Sequence, residues 1–350
     1  MSETALDYRT PPIALLPLLG PEGERVEPAP SVDEAAAVAY CRGLANSHYE
    51  NFSVLSRLVP ADWRDDFAAV YAFCRWADDL ADETGSDAAA RERSVRLLAW
   101  WRAELNRCFA EPGTGPEHPV FVALRRTVRR HAATLSVEPF ANLIDAFQQD
   151  QRVTAYQTWD QLIDYCSRSA DPVGRIVLAI GGYGDTPDNA TLIRLSDRTC
   201  TALQLINFWQ DVRRDLLERD RVYLPSHETG VSPETLRDWA GRARDPSARV
   251  AFIQALRPLV ERTAAIFDEG RRLPTLLDPK LAPIVRLFGL GGEAILRAVR
   301  RAGCATLWER PRLGKAQKMA LVARVIIGNI GPKGSLRVNI NGDKACTTRP

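Results

Sequence analysis

Residues 198–225 read RTCTALQLINFWQDVRRDLLERDRVYLP, and the fold follows from how that stretch divides between two faces. At helical pitch Gln204, Asn207, Asp211 and Asp215 fall at i, i+3, i+7 and i+11, so one stripe carries two carboxamides and two carboxylates. Leu203, Leu205, Ile206, Phe208 and Trp209 lie between them and make the upper half of the helix apolar enough to be buried. The acids therefore sit at the lip of a core. Two carboxylates at i,i+4 repel each other in a bare helix by a few tenths of a kcal/mol, and a divalent cation between them is the simplest remedy.

A second acidic stretch runs from Tyr71 to Asp82, YAFCRWADDLAD. Phe67, Tyr71, Cys74 and Asp78 share a stripe, Asp82 follows one turn later, and Arg75 joins the two acids at i, i+3 and i+7. Carboxylate oxygens with no His nearby and only Cys74 favour Mg2+, with Mn2+ as the substitute, over zinc. A lone DDxxD is weak, because solvated acidic faces are common. Two acidic sets on apolar helices, more than a hundred residues apart, are a more specific signal. They are expected to face each other and hold several Mg2+ ions against a diphosphate, with Asp78, Asp79, Asp82, Asn207, Asp211 and Asp215 as the candidate ligands.

The 350 residues, 45% of them hydrophobic, can bury one large helical core. A net charge of +2 gives no reason to expect a nucleic-acid partner. Of the basic residues 41 are Arg and 5 Lys, four of the lysines lying beyond Gly314, which sets the C-terminal tail apart. Seven scattered cysteines without a CxxC read as buried free thiols of a reducing cytoplasm. The segment from Ile13 to Leu19 is short and broken by proline, unlike a signal peptide, and no run approaches the ~20 apolar residues of a membrane span.

In chain order, residues 1–31 read as a mobile N-terminal arm rich in Pro and Glu. Ser31 and Glu34 form a capping box that opens a helix to Ala45. Helices are expected over 60–85, 87–109, 119–135 and 139–150; His131 falls at a core edge, and Arg125, Arg126, Arg129 and Arg130 read as a solvated face. A capping box at Thr158–Gln161 opens a helix through Tyr165 to Gly182, which Pro172 should kink or unwind. Further helices cover 247–273 and 282–303. The organisation is an all-α domain over 32–311, then a C-terminal helix from Arg312 to about Ile327 and an irregular tail within 312–350. That basic, partly apolar helix could rest on a membrane surface, although packing against the bundle is the simpler reading.

The chain resembles the squalene/phytoene synthases, of the trans-isoprenyl diphosphate synthase type. The residues that carry the resemblance are Asp78-Asp79-Leu80-Ala81-Asp82, Tyr165 to Gly174, Asn207-Phe208-Trp209-Gln210-Asp211, and Arg221-Val222-Tyr223-Leu224-Pro225, within a match from about Tyr40 to Arg310. His48-Tyr49-Glu50-Asn51-Phe52 and the Asn-Phe-Trp-Gln-Asp run look most like the hydroxysqualene synthase branch of the bacterial hopanoid pathway. The resemblance implies a single helical bundle around a central cavity that binds prenyl diphosphate. It implies diphosphate-end contacts from His48 and Asn51, a catalytic Tyr165 beside the reacting carbons, and further contacts from Arg75, Gln204, Asn207, Gln210 and Tyr223. For that branch it implies conversion of presqualene diphosphate and water to hydroxysqualene, needing Mg2+ and no nicotinamide, with functional coupling to a presqualene diphosphate synthase. One departure stands out: many chain-joining relatives have Arg immediately before the second aspartate set, where this chain has Gln210. The alternatives are a synthase joining two prenyl diphosphates, making presqualene diphosphate or phytoene, and a non-catalytic assembly protein on the same fold.

Overall fold

Apolar residues at three- and four-residue spacing dominate the chain, and the computed structural model is correspondingly helical. It describes residues 7–26, 32–48, 58–85, 87–110 and 117–330. The main helices are α1 (Glu34–His48), α2 (Arg64–Asp82), α3 (Ala88–Phe109), α4 (Pro119–Arg130), α5 (Glu138–Gln149), α6 (Trp159–Ser169), α7 (Asp171–Ile180), α8 (Ala190–Glu218), α9 (Pro233–Gly241), α10 (Pro246–Gly270), α11 (Ala282–Arg301) and α12 (Lys315–Ile330). Among the described residues the β pairing is confined to an isolated bridge between Ala155 and Val222.

Two apolar cores flank the two acidic helices. α2 buries Phe67, Val70, Phe73, Trp76 and Leu80, and Phe73 and Trp76 stack on Trp101 of α3 at 5.9 and 5.5 Å. Each such aromatic contributes roughly 2–3 kcal/mol by leaving water, and Trp76 Nε1 donates to the Tyr40 hydroxyl at 3.0 Å, so its one polar atom is satisfied. α8, about 44 Å long at the usual helical rise, is the axis of the second core and packs against α7, α10 and α11. Trp209 on α8 is fully buried, and its Nε1 donates to Thr263 Oγ1 of α10 at 2.8 Å. At the α7–α8 crossing a Cβ on Gly174 would stand 2.3 Å from Ser196 Oγ and 2.6 Å from Cys200 Sγ, so the helices meet at a glycine.

The kink expected at Pro172 is a complete break. α6 ends at Ser169, Ala170 leaves helical geometry (φ −129°, ψ −50°), and α7 restarts with Pro172 in its first turn, where a missing N–H costs nothing.

Several expectations need correction. Residues 7–26 are not a loose arm: Leu15, Leu16 and Leu19 are buried in the first core. The Glu24 carboxylate accepts two bonds from Arg93, at 2.9 and 2.7 Å. Pro12 and Pro17 stand in the first turns of short helical segments, where proline is tolerated, so the prolines start turns rather than forbid them. α1 begins at Glu34, and Asp33 caps it by accepting the Ala36 N–H at 2.7 Å; it runs past Ala45 to His48, and Ser31 lies outside the described residues. α4 stops at Arg130, a turn short of Leu135. Its arginines form a solvated face only in part: Arg129 and Arg130 are exposed, but α2 presents acids to Arg126 and Arg130. Arg126 pairs with Asp65 at 2.9 Å, Arg130 with Asp66 at 3.0 Å, and Arg125 is itself buried. His131 sits at the core edge as expected, its Nε2 3.1 Å from Asp66 Oδ2. Finally, α12 reaches Ile330 and packs on α11 through buried Val322 and Val325, so no structural boundary falls at 311. No helix among the described residues is long and apolar enough to cross a membrane.

Candidate functional site: an acid-lined cavity joined to an apolar chamber

α2 and α8 bring their acidic turns to one cavity of about 440 Å³. α2 supplies Asp78 and Asp82, and α8 supplies Gln204, Asn207, Gln210, Asp211 and Asp215. The helical spacing explains the sharing: residues three, four and seven apart return to the same face, and the apolar faces of both helices are already committed to the cores.

Each acid pair is handled differently. Asp82 accepts Arg221 at 2.8 Å and lies 3.1 Å from Arg219. Both arginines reach it because Asp220 takes a left-handed conformation (φ 53°) that ends α8 and folds the Arg221 N–H back onto the Asp215 carbonyl at 2.9 Å. Asp211 is paired in bidentate fashion with Arg310, whose Nη2 is 2.8 Å from Oδ2. Among the described residues no Arg or Lys comes within ion-pair distance of Asp215. Burial and the neighbouring Asp211 push the Asp215 carboxyl up to about 7. Burial and Asp82 likewise raise Asp78.

Aromatic rings and a fifth acid, Asp150, also line the cavity. Phe208 and Tyr223 stack at 3.8 Å and 8°, Tyr156 stacks on Tyr223 at 5.7 Å, and Tyr165 lies 5.9 Å from Tyr223. The Tyr165 hydroxyl donates to Asp150 Oδ2 at 2.8 Å. Burial pushes the Asp150 carboxyl up to about 6, against the pull of Arg221 and the Tyr165 hydrogen bond. Asn207, Gln210 and Arg310 also line a second compartment of about 540 Å³, walled by Leu203, Ile206, Phe288, Ile295 and Leu321. A polar head cavity thus adjoins an apolar chamber through shared side chains.

Of the residues expected from sequence, Asp78, Asp82, Tyr165, Gln204, Asn207, Gln210, Asp211, Asp215 and Tyr223 line the head cavity. Asp79 does not. It lies behind the wall, 1% exposed and beside Arg75, and burial pushes it up to about 7. Arg75 is not in the lining either; it is held on its own helix by Asp79 and by Asp78 at 3.4 Å. Asn51 lies outside the described residues, and His48 is described only as the last residue of α1. Sequence reasoning gave no site role to Asp150, Arg219 or Arg310, nor to Arg221, which entered only as part of the run from Arg221 to Pro225. Asp150 follows the end of α5 with no acidic partner at helical spacing, and Arg310 belongs to an irregular segment; only Arg219, one turn past Asp215, carried a positional hint.

The donors suit Mg2+: every polar ligand offered by Asp78, Asp82, Asn207, Asp211 and Asp215 is oxygen or amide. Among the described residues no three His, Cys, Asp or Glu side chains form a ready cage.

Residues 45–317 match the squalene/phytoene synthase family, and the chain belongs to it. Hydroxysqualene synthase from Rhodopseudomonas palustris is 33% identical over 252 residues, 72% of this chain and 80% of that protein. Hydroxysqualene synthase from Zymomonas mobilis is 36% identical, over 51% of this chain and 55% of its own length, so this match spans only about half of that relative. The crystal structure of squalene synthase HpnC from Alicyclobacillus acidocaldarius superposes with a TM-score of 0.66 at 43% identity, covering 78% of this chain and 97% of that one. Proteins named phytoene synthase and presqualene diphosphate synthase match as well, at 34% and 29% identity.

Proposed function

We propose that the protein is a hydroxysqualene synthase, converting presqualene diphosphate and water to hydroxysqualene and diphosphate. The observation that carries this reading is the charge state of the head cavity. The three arginines lining it, Arg219, Arg221 and Arg310, are all engaged by aspartates. Position 210 brings a carboxamide instead of a guanidinium, and Gln210 Nε2 is spent on the Pro311 carbonyl at 2.6 Å. A site that joins two prenyl diphosphates must neutralise two diphosphates; this one sets three arginines against five aspartates in its own lining and has no side-chain cation to spare. It suits one diphosphate at a time.

Mg2+ ions would be held by Asp78 and Asp82 on one wall and by Asn207, Asp211 and Asp215 on the other. When bound they supply positive charge where the departing diphosphate gathers negative charge. The chain's own residues do the rest. The carbon–oxygen bond breaks with its electron pair going to diphosphate, and the Tyr165 ring, beside the Phe208–Tyr223 stack, offers π surface to the cyclopropylcarbinyl cation. The apolar chamber shields the prenyl tails from water until capture. Nothing in this sequence of steps needs a hydride donor. The substrate must come from an enzyme that joins two farnesyl groups, which makes coupling to a presqualene diphosphate synthase part of the proposal.

The competing reading, a chain-joining synthase, draws on the matches to phytoene and presqualene diphosphate synthases. Incubation with Mg2+ and either farnesyl diphosphate alone or presqualene diphosphate alone, each with and without NADPH, separates the two by mass spectrometry. Hydroxysqualene from presqualene diphosphate, independent of NADPH, is the expected product. Efficient consumption of farnesyl diphosphate would overturn the proposal.

A further inference from the structure

Asp150 is the acid of the head cavity that neither acidic helix supplies. Its Oδ2 accepts the Tyr165 hydroxyl at 2.8 Å and lies 3.6 Å from Arg221 Nη1. Its Oδ1 is buried with no hydrogen-bond partner. Ser169, which lines the same cavity from the break between α6 and α7, has a buried hydroxyl that is also unpartnered. Buried polar atoms without partners are rare in folded proteins. Two of them on residues lining one cavity, next to an aromatic wall, mark a place for a small polar guest.

A reaction that ends in water capture has a conflicting need: the cavity must exclude water while the cation rearranges, yet deliver one molecule at the end. A single water tied to fixed polar groups meets both demands, because bulk solvent stays out. We propose that Asp150 and Ser169 hold the capturing water and that the Asp150 carboxylate takes its proton, with Tyr165 as the positioning residue. The inference rests on the hydroxysqualene reading. A lone pair of the water oxygen forms the carbon–oxygen bond to the cation. One O–H bond of the resulting oxonium then breaks, its proton passing to Asp150 Oδ1 and its electron pair staying on oxygen. Nothing is oxidised or reduced, and the carboxylic acid returns its proton to solvent before the next cycle.

The surroundings suit the role. Burial makes Asp150 a stronger base than a surface aspartate while leaving it ionised at pH 7. The Tyr165 phenol, pushed well above its ordinary range by burial and by Asp150, remains a donor and fixes the carboxylate through Oδ2. The acids at 78, 82, 211 and 215 are committed to the diphosphate end, so none of them is as free to accept a proton beside the rings.

The test is product partition in 18O-labelled water. Wild type, Asp150→Asn, Asp150→Glu and Tyr165→Phe are each given presqualene diphosphate and Mg2+, and the ratio of 18O-labelled hydroxysqualene to unoxygenated hydrocarbon is read by mass spectrometry. Asp150→Asn is expected to lower that ratio at least about tenfold, the low side of the usual general-base contribution, whatever its rate of substrate loss. Asp150→Glu should recover part of it. Circular dichroism decides which variant is read: if Asp150→Asn is unfolded, Tyr165→Phe carries the test, with a several-fold fall expected. An unchanged ratio in the folded variant overturns the proposal while leaving the reaction assignment standing. A wild-type enzyme that makes no hydroxysqualene overturns both.

Discussion

The two acidic turns that face each other across the head cavity look alike in sequence and are unlike in their surroundings. On α2, Asp82 is locked between Arg219 and Arg221 at 3.1 and 2.8 Å, so its charge is matched before anything binds, while Asp78 has Arg75 at 3.4 Å. On α8, Asp215 is buried with no cation in pairing distance among the described residues, and Asp211 is held only by an arginine from a distant segment. Asp82 is already neutralised; Asp215 stores unfavourable charge that an incoming cation relieves. A binding site built so couples stability to occupancy, because whatever neutralises α8 stabilises the folded chain.

The largest effects should come from removing one acid on each wall. Asp82→Asn and Asp215→Asn are each expected to lower turnover of presqualene diphosphate by roughly a thousandfold, the scale of lost electrostatic stabilisation at a reacting centre. Their stabilities should move in opposite directions. Asp82→Asn takes the carboxylate from Arg219 and leaves Arg221 with only Asp150 at 3.6 Å, and should cost about 3 kcal/mol, the usual penalty for breaking a buried pair. Asp215→Asn removes an unpaired buried charge and should raise the ligand-free melting temperature. If both variants melt lower by similar amounts, the distinction between the walls is lost.

The same contrast predicts how ligands act. Mg2+ with pyrophosphate at about a hundred times its dissociation constant should stabilise wild type by about 2.7 kcal/mol. Calorimetry should show most of that gain missing in Asp215→Asn, since the charge to be relieved is gone. Equal stabilisation of both proteins would place the ions elsewhere.

Acid pairs were legible because a helix repeats its face every three to four residues: Asp78 and Asp82, or Asp211 and Asp215, announce a shared surface in the bare sequence. Asp79 was misjudged by the same logic, since membership of a DDxxD says nothing about which of its acids turns inward. Single residues that act through folding left no pattern. Asp150 becomes a cavity residue only because α5 ends there and α6 lays Tyr165 across it. Arg310 reaches Asp211 across 99 positions of sequence, a contact no periodicity encodes. The N-terminal leucines were hidden by their prolines, which mark turn starts as readily as disorder.

A smaller, pH-dependent effect follows from the strained wall. Asp215 and Asp150 titrate at about 7 and about 6 in the folded chain, against 3.8 as the ordinary value. Between those limits the folded state binds more protons than the unfolded one, so stability falls as pH rises from about 4 to 7 and the loss is complete above that window. Asp79 and Asp171, both raised to about 7 by burial, act in the same direction. Asp65 and Glu24, lowered by their arginines, contribute stability that is lost only as pH falls below about 4. Scanning calorimetry of the ligand-free protein should therefore show its melting temperature declining across that window, and Asp215→Asn should flatten the slope. A melting temperature that climbs steadily toward neutrality would contradict the burial of these acids.

The smallest effect is the one that tests whether α8 is held by a structural pair or a provisional one. Arg310 is 36% exposed at its side chain and Asp211 17%, whereas Arg221 and Asp82 on the other wall are 10% and 9% exposed. Exposed pairs contribute roughly 0–1 kcal/mol because water screens them and two side chains must be immobilised. Arg310→Gln should accordingly shift the unfolding free energy by less than about 1 kcal/mol, while Arg221→Gln shifts it several times further. A loss of several kcal/mol from Arg310→Gln would mean that Asp211 is as firmly neutralised as Asp82. An ion reaching Asp211 would then have to break a structural contact instead of displacing a loose one.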